Sequence, residues 1–425
     1  MNLKEIKSER TSDKYYTTKL DNGLKIFIYP KENSNSTYAI FGTKFGSINT
    51  NFRHQNEKNS IIVPDGIAHY LEHKLFESED GDAFSKYAKT GAEANAYTSF
   101  DMTCYLFSCT KNFKESLKIL IDFVQSPYFT KETVQKEQGI IGQEIKMYDD
   151  NPGWKVLFNL LKAMYHKHPV KVDIAGTVQS IKNITPENLY ECYNSFYNLN
   201  NMVLCIAGKV DLKDTVEFIN ETIKPTKGII PECLYPNEPY EIVRPTVEER
   251  FPVAIPLFQL GFKEQASKER VTIEELTQTD IILHVLASKS SKLYRKLLDK
   301  ELINETFGYE YFEGPGYASI IFSGESEDPY ETTKIIKEEI ERLHKEGISE
   351  EGFSIAKKAI YGKALSVLNS SENIANTIVN LEFSNKELFS AIETIVKTTL
   401  EDVNNRLKQE LDVQNSSLSV ILPQK

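Results

Sequence analysis

The sequence predicts an α+β protein of two similar halves, each a mostly antiparallel sheet with helices packed on one face. Three observations carry that expectation. Alternating apolar runs follow turn signals and read as strands. Long stretches of 3.6-residue periodicity lie between them and read as helices. One order of strands and helices occurs twice along the 425 residues.

The first readable unit runs from Thr17 to Lys31, where Asn22-Gly23 precedes the alternating run LKIFIYP, the pattern of a strand after a tight turn. From Asp65 the spacing becomes helical through GIAHYLEHKLF. It returns to strand character in AEANAYTSFDMTCYLFSC, and long helical patterns follow from Lys114.

Seven prolines fall between Lys224 and Pro256, poor material for a helix or a central strand. They divide the chain into an N-terminal domain, 1–223, a proline-rich linker, 224–256, and a C-terminal domain, 257–425. The order of features then repeats. YLFSC and the helix KESLKILIDFVQ are echoed by IIFSGES and YETTKIIKEEIERL. A second helix follows each, ETVQKEQGIIGQEIKMY in one half and EEGFSIAKKAIYGKAL in the other. The halves also close alike, with a helix and a final strand ending in VLCIAG and LSVIL.

With 40% apolar and 26% charged residues the chain can bury more than one core. A net charge of -11 and the lack of a long basic run argue against nucleic acid as a partner. The polar N-terminus has no apolar segment of the kind a signal peptide needs, and no stretch approaches the length of a membrane span. Five cysteines without a CxxC pair indicate neither a disulfide framework nor a thiolate zinc site, and a reducing cytoplasm is the expected location. GxGxxG, P-loop and nucleophile-elbow patterns are absent, so neither a nucleotide cofactor nor an α/β-hydrolase is implied.

The chemistry concentrates in His69-Tyr70-Leu71-Glu72-His73. On a helix, positions 69, 72 and 73 share one face, so two imidazoles and a carboxylate project together. Neutral imidazole suits zinc, and a neighbouring carboxylate can take a proton from a water whose pKa zinc lowers to about 7. The HxxEH order is that of the inverzincins. A catalytic zinc needs a third protein ligand, and the candidates lie in the run Glu137 to Tyr148. Glu137 and Glu144 are two turns apart on one side of that helix; either can be the ligand, and periodicity does not rank them. His166 and His168 are no comparable pair, because residues two apart diverge on a helix, and His168 before Pro169 reads as a helix end.

These residues carry a resemblance. HYLEH, followed some seventy residues later by EQGIIGQEIKMYDDNP, resembles the insulinase or pitrilysin family of metallopeptidases, in its bacterial two-domain form similar to the mitochondrial processing peptidase. LDNGLKIFIYP, GAEANAYTSFDMTCY, GTVQSIKNITPENL and SSKLYRKLLDK extend the likeness over nearly the whole chain. It implies the LuxS/MPP-like metallohydrolase fold in two homologous domains and a zinc endopeptidase acting on peptides or unfolded segments. It also implies Zn2+ on His69, His73 and Glu144, Glu72 as general base, and Glu137 as a supporting carboxylate. The segment around Asn95, Ala96 and Thr98 would then be an edge strand near the zinc that receives the peptide by β-augmentation.

His284-Val285-Leu286-Ala287-Ser288 in the second half keeps one His and lacks the rest, which implies a non-catalytic domain that helps bind peptide through Tyr317. Family members enclose the site with four such domains, so a partner is expected, either a second copy or a related chain. Two alternatives remain open, a non-catalytic scaffold subunit and a maturation protease for one secreted peptide. Manganese or cobalt could also occupy such a donor set.

Overall fold

The computed structural model describes residues 3–55, 57–79, 81–226, 230–265 and 270–424. Its contacts fall into two compact units: residues 1–145, 173–234 and 365–390 form one, and 146–172, 235–364 and 391–425 the other.

In the first unit, strands β1 (Lys4–Lys7), β2 (Lys14–Lys19), β3 (Lys25–Pro30), β4 (Thr37–Thr43), β5 (Glu93–Thr98), β6 (Thr103–Cys109) and β7 (Met202–Gly208) form one sheet. Their order is β1-β2-β3-β7-β4-β6-β5. Only β7 and β3 run parallel; every other neighbour is antiparallel. The β2–β3 hairpin turns at Asn22-Gly23, where Gly23 adopts a φ of 96° and the Asn22 side chain accepts from the Leu24 N–H. One sheet face packs on Leu117, Leu120 and Ile121 of the helix Phe113–Val124, on Leu189 and Phe196 of Pro186–Phe196, and on α1 (Ile67–Leu75).

The second unit holds β8 (Thr246–Phe251), β9 (Leu257–Lys263), β10 (Gly308–Gly314), β11 (Tyr317–Glu325) and β12 (Ser416–Pro423), in the order β8-β12-β9-β11-β10. That order and strand sense repeat β3-β7-β4-β6-β5, including the single parallel pair, here β8 with β12. The duplication read from sequence is thus a duplication of topology.

The units are not continuous stretches of chain. Helix Ser371–Phe383, from the C-terminal half of the sequence, lies against β4 and β7 of the first sheet. Helix Pro152–Met164, from the N-terminal half, lies against β9 and β12 of the second. A glycine marks each crossing. A Cβ on Gly42 would stand 3.0 Å from the Phe383 ring and 3.1 Å from Val379, and one on Gly261 would stand 2.5 Å from Met164 Sδ. With no side chain there, the helix approaches the backbone closely, and β4 is buried along its whole length.

The proline-rich stretch carries structure of its own. Glu232–Cys233 pairs with Asn51–Arg53 in the first unit. β8 forms a sheet edge between Pro245 and Pro252, where the missing N–H groups fall outside the ladder.

The second unit also buries an ion pair. Lys263 and Glu238, with 1% and 7% of their side chains exposed, meet at 2.9 Å. Lys263 Nζ also donates to the carbonyls of Met164 and Glu241. Glu238 accepts the N–H groups of His166, Lys167 and His168. Burial alone would raise the Glu238 carboxyl, but Lys263 and those three donors outweigh it and hold it at about 2. Glu238→Ala leaves a buried ammonium without its counter-charge and is expected to cost about 3–5 kcal/mol, read by urea unfolding. A loss below about 1 kcal/mol would show that the pair does not hold this corner.

Candidate metal centre

α1 begins at Gly66, whose φ of 88° suits only glycine, and a Cβ there would lie 2.3 Å from the Ala175 carbonyl oxygen. From that fixed start Ile67, Leu71 and Leu75 turn into the core, and His69, Glu72 and His73 share the other side. The second contributor is α2 (Lys131–Asp149). Its place beside α1 is set by the Tyr70 hydroxyl, which donates to the Val134 carbonyl, while Val134, Ile141 and Ile145 bury into the same core. Glu137 and Glu144 therefore face α1 from two successive turns.

The side chains converge on one point. His69 Nε2 lies 3.6 Å from Glu144 Oε1, and His73 Nε2 lies 3.4 Å from Glu144 Oε2. Both separations are long for hydrogen bonds. They are close to the separation of about 3.4 Å that zinc bonds of about 2.0–2.1 Å give two ligand atoms, with each imidazole facing a different oxygen of the carboxylate. One ligand atom from each of the three residues falls within 4.8 Å of the others, and no other trio of His, Cys, Asp or Glu gathers in this way among the described residues. His73 Nδ1 lies 3.0 Å from Glu137 Oε1. An ionised carboxylate only accepts, so Nδ1 carries a proton, and in the neutral imidazole Nε2 keeps the lone pair that a metal would take. The buried Nδ1 of His69 has no hydrogen-bond partner among the described residues. Two imidazole nitrogens and a carboxylate at this spacing are a donor set that fits zinc.

Burial disfavours a charged His73, yet the hydrogen bond it donates to Glu137 and the charges of Glu72, Glu144 and Glu137 overcome it and raise His73 above the usual imidazole range. Glu72 is 8% exposed and accepts a 2.6 Å hydrogen bond from Thr98 Oγ1. Beside it runs a groove of about 480 Å3, lined by Glu72, His73, Phe76, Asn95, Ala96 and Glu137 among others. β5 is the last strand of its sheet, so the groove follows an open strand edge. Asn95 is exposed on it and Ala96 half-buried.

All seven of these candidates, His69, Glu72, His73, Asn95, Ala96, Glu137 and Glu144, thus come together in the first unit. Tyr317 lies in the second, as the first residue of β11. Its side chain is 3% exposed, with its ring against Tyr165, His168 and Phe312. His284 belongs to no group of three His, Cys, Asp or Glu side chains placed to hold a metal among the described residues. His168 is fully buried, its Nδ1 accepting from the Val170 N–H and its Nε2 donating to the Pro315 carbonyl. Burial lowers it to about 4. The preceding helix ends at Met164, four residues before the expected stop, and His168 instead caps the short turn Pro169–Lys171. The contact that sequence reasoning missed is Thr98 with Glu72. Thr98 lies 26 residues away, and no spacing rule connects it to α1.

Known proteins resemble the chain along most of its length. A model of the insulinase family, peptidase family M16, matches residues 53–178. A model of the peptidase M16 inactive domain matches residues 183–360. A Bacillus subtilis protein named as a zinc protease, YmfH, is 40% identical over 434 residues and covers 99% of both chains. The chain belongs to the insulinase family. Within that family, an M16-like peptidase from Alicyclobacillus acidocaldarius has a crystal structure that superposes with a TM-score of 0.93 at 36% identity, covering 98% of this chain and 100% of that one. A protease from Helicobacter pylori shares the fold, at a TM-score of 0.82 and 21% identity over 97% of this chain and 100% of that one. Among the described residues no helix is long and apolar enough to cross a membrane.

Proposed function

We propose that this insulinase-family chain is a zinc-dependent endopeptidase. The observation that carries the reading is the convergence of His69, His73 and Glu144 beside Glu72 at an open strand edge. A zinc ion bound there would supply a Lewis acid that polarises the scissile carbonyl and lowers the pKa of water to about 7.

The chain's own residues do the remainder. The edge of β5 offers its backbone groups to an extended peptide, with Asn95 and Ala96 beside the scissile bond. Glu72 takes the proton of the attacking water and passes it to the leaving amine. Glu137 holds His73 in the tautomer that presents Nε2. The family resemblance points to Tyr317 as a peptide contact, but its buried ring, packed against Tyr165, His168 and Phe312, leaves it out of this reading. On the same resemblance, a second copy or a related chain encloses the substrate, which limits it to peptides and unfolded segments.

The test is cleavage of a quenched-fluorescence peptide library. Wild-type protein should cleave, lose activity on chelation, and regain it with about one equivalent of zinc. Cleavage indifferent to chelation, or none by zinc-loaded protein with its partner present, would contradict the reading.

Metal occupancy should also depend on pH in a defined sense. A proton on His73 Nε2 occupies the lone pair a metal needs, and this imidazole is raised above 6.5 in the metal-free protein. The apparent zinc affinity should therefore weaken as pH falls through the raised His73 value, as measured by equilibrium dialysis. An apparent affinity that does not change between pH ~8 and pH ~5 would argue against imidazole ligands.

A further inference from the structure

We propose that Thr98 is a positioning residue, which holds the Glu72 carboxylate by one oxygen so that the other is presented to the reacting water. The proposal rests on the reading of Glu72 as the base. Its geometry stands independently of that reading.

Thr98 is the final residue of β5 and pairs with Thr103 across the ladder to β6. Three oxygens around it define where each proton goes. Thr103 Oγ1 is buried and donates to the Phe45 carbonyl at 2.8 Å, so its one proton is used. Toward Thr98, 3.4 Å away, it can only accept. The single proton of Thr98 then chooses between a neutral hydroxyl at 3.4 Å and the Glu72 carboxylate at 2.6 Å, and the shorter, charge-assisted bond wins.

Glu72 Oε2 is thereby tied to the strand, while Oε1 makes no hydrogen bond to the described residues, and the carboxylate lines the groove. A glutamate has three side-chain torsions, and a helix anchors only its Cα. Without a second anchor its carboxylate samples several orientations, of which one suits proton transfer. Thr98 supplies that anchor from the very strand whose edge borders the groove. One strand would then set both the position of the bound peptide and the orientation of the base, so that the two stay in register. A group that acts by orienting the base affects turnover and leaves ground-state peptide binding alone.

Two variants separate this role from a structural one. Thr98→Val keeps the shape and strand preference and loses the hydroxyl; Thr98→Ser keeps the hydroxyl and loses a methyl group. Metal-free crystal structures, zinc stoichiometry, and kcat and KM on a peptide chosen from the library are the readouts. For Thr98→Val the Glu72 carboxylate should leave its wild-type position and zinc content should stay the same. Its kcat should fall about ten- to a hundredfold, with KM within about twofold. Thr98→Ser should restore the orientation and bring kcat to within about threefold of wild type. An unmoved Glu72 with unchanged kcat in Thr98→Val would overturn the proposal. So would a loss confined to KM, or a Thr98→Ser variant as impaired as Thr98→Val. Wild-type protein that cleaves nothing would sink the peptidase reading instead, and the crystal structures would still decide whether Thr98 orients Glu72.

Discussion

Glu72→Gln is expected to bind zinc as wild type does and to hydrolyse peptides about a thousandfold more slowly. The amide has the size of the carboxylate, its oxygen can still accept from Thr98, and it sits on the same turn of α1 as the two histidines. What it lacks is basicity. The two other carboxylates gathered at the site are already engaged: Glu137 with His73 Nδ1, and Glu144 with both imidazoles. Removal of a general base costs about 10²–10⁴ in rate, which sets the size of the expected loss. The check is kcat with zinc stoichiometry measured on the same preparation. A variant that keeps its zinc and most of its rate would remove Glu72 from the mechanism. One that loses both would make it a structural residue of the site.

Glu144→Gln should act at the step before, by abolishing metal binding. It replaces the one anionic ligand among three, and a neutral amide oxygen is a far weaker zinc donor than a carboxylate. Activity should then be undetectable at micromolar zinc. Glu137→Gln provides the graded comparison, because it touches His73 on the side away from the metal. Loss of such an outer hydrogen bond typically costs about 10–100-fold in metal affinity, so excess zinc should rescue Glu137→Gln and fail to rescue Glu144→Gln. Competition titration with a zinc indicator measures both. Equal affinities in the two variants would contradict the assignment of Glu144 as ligand and Glu137 as support.

Much of this arrangement was legible from local pattern. Helical periodicity alone places His69, Glu72 and His73 on one face, because 3.6 residues per turn is a property of the backbone. The repeated order of strands and helices likewise announced the second sheet, since a duplicated sequence keeps its pattern of apolar faces. Periodicity did not rank Glu137 against Glu144. Both face α1, and only the depth at which α2 packs, through Val134, Ile141 and the Tyr70 hydroxyl, sets Glu144 level with both imidazoles and Glu137 level with the far side of His73.

What stayed hidden was non-local. The apolar face of Pro152–Met164 shows that the helix is buried but not which sheet it covers, and it packs on the second sheet while Ser371–Phe383 packs on the first. The only local trace is a glycine inside each receiving strand, Gly42 and Gly261, and a glycine within a strand can equally mark a bulge or a sharp bend. Seven prolines made 224–256 read as linker, yet Thr246–Phe251 lies cleanly between two of them and forms an edge strand, the one place in a sheet where flanking prolines cost little. The resemblance put Thr98 on the edge strand near the zinc, but its contact with Glu72 stayed hidden, because that partner is fixed by the packing of β5 beside α1 and by no sequence spacing.

The measurement that tests the central claim most directly is a crystal structure of zinc-loaded wild-type protein with diffraction recorded on both sides of the zinc absorption edge. One anomalous peak is expected per chain, within about 2.0–2.2 Å of His69 Nε2, His73 Nε2 and a Glu144 carboxylate oxygen. Glu72 should be close by but outside bonding distance. A peak at any other group of side chains, or none at this site in protein that retains its zinc, would contradict the account.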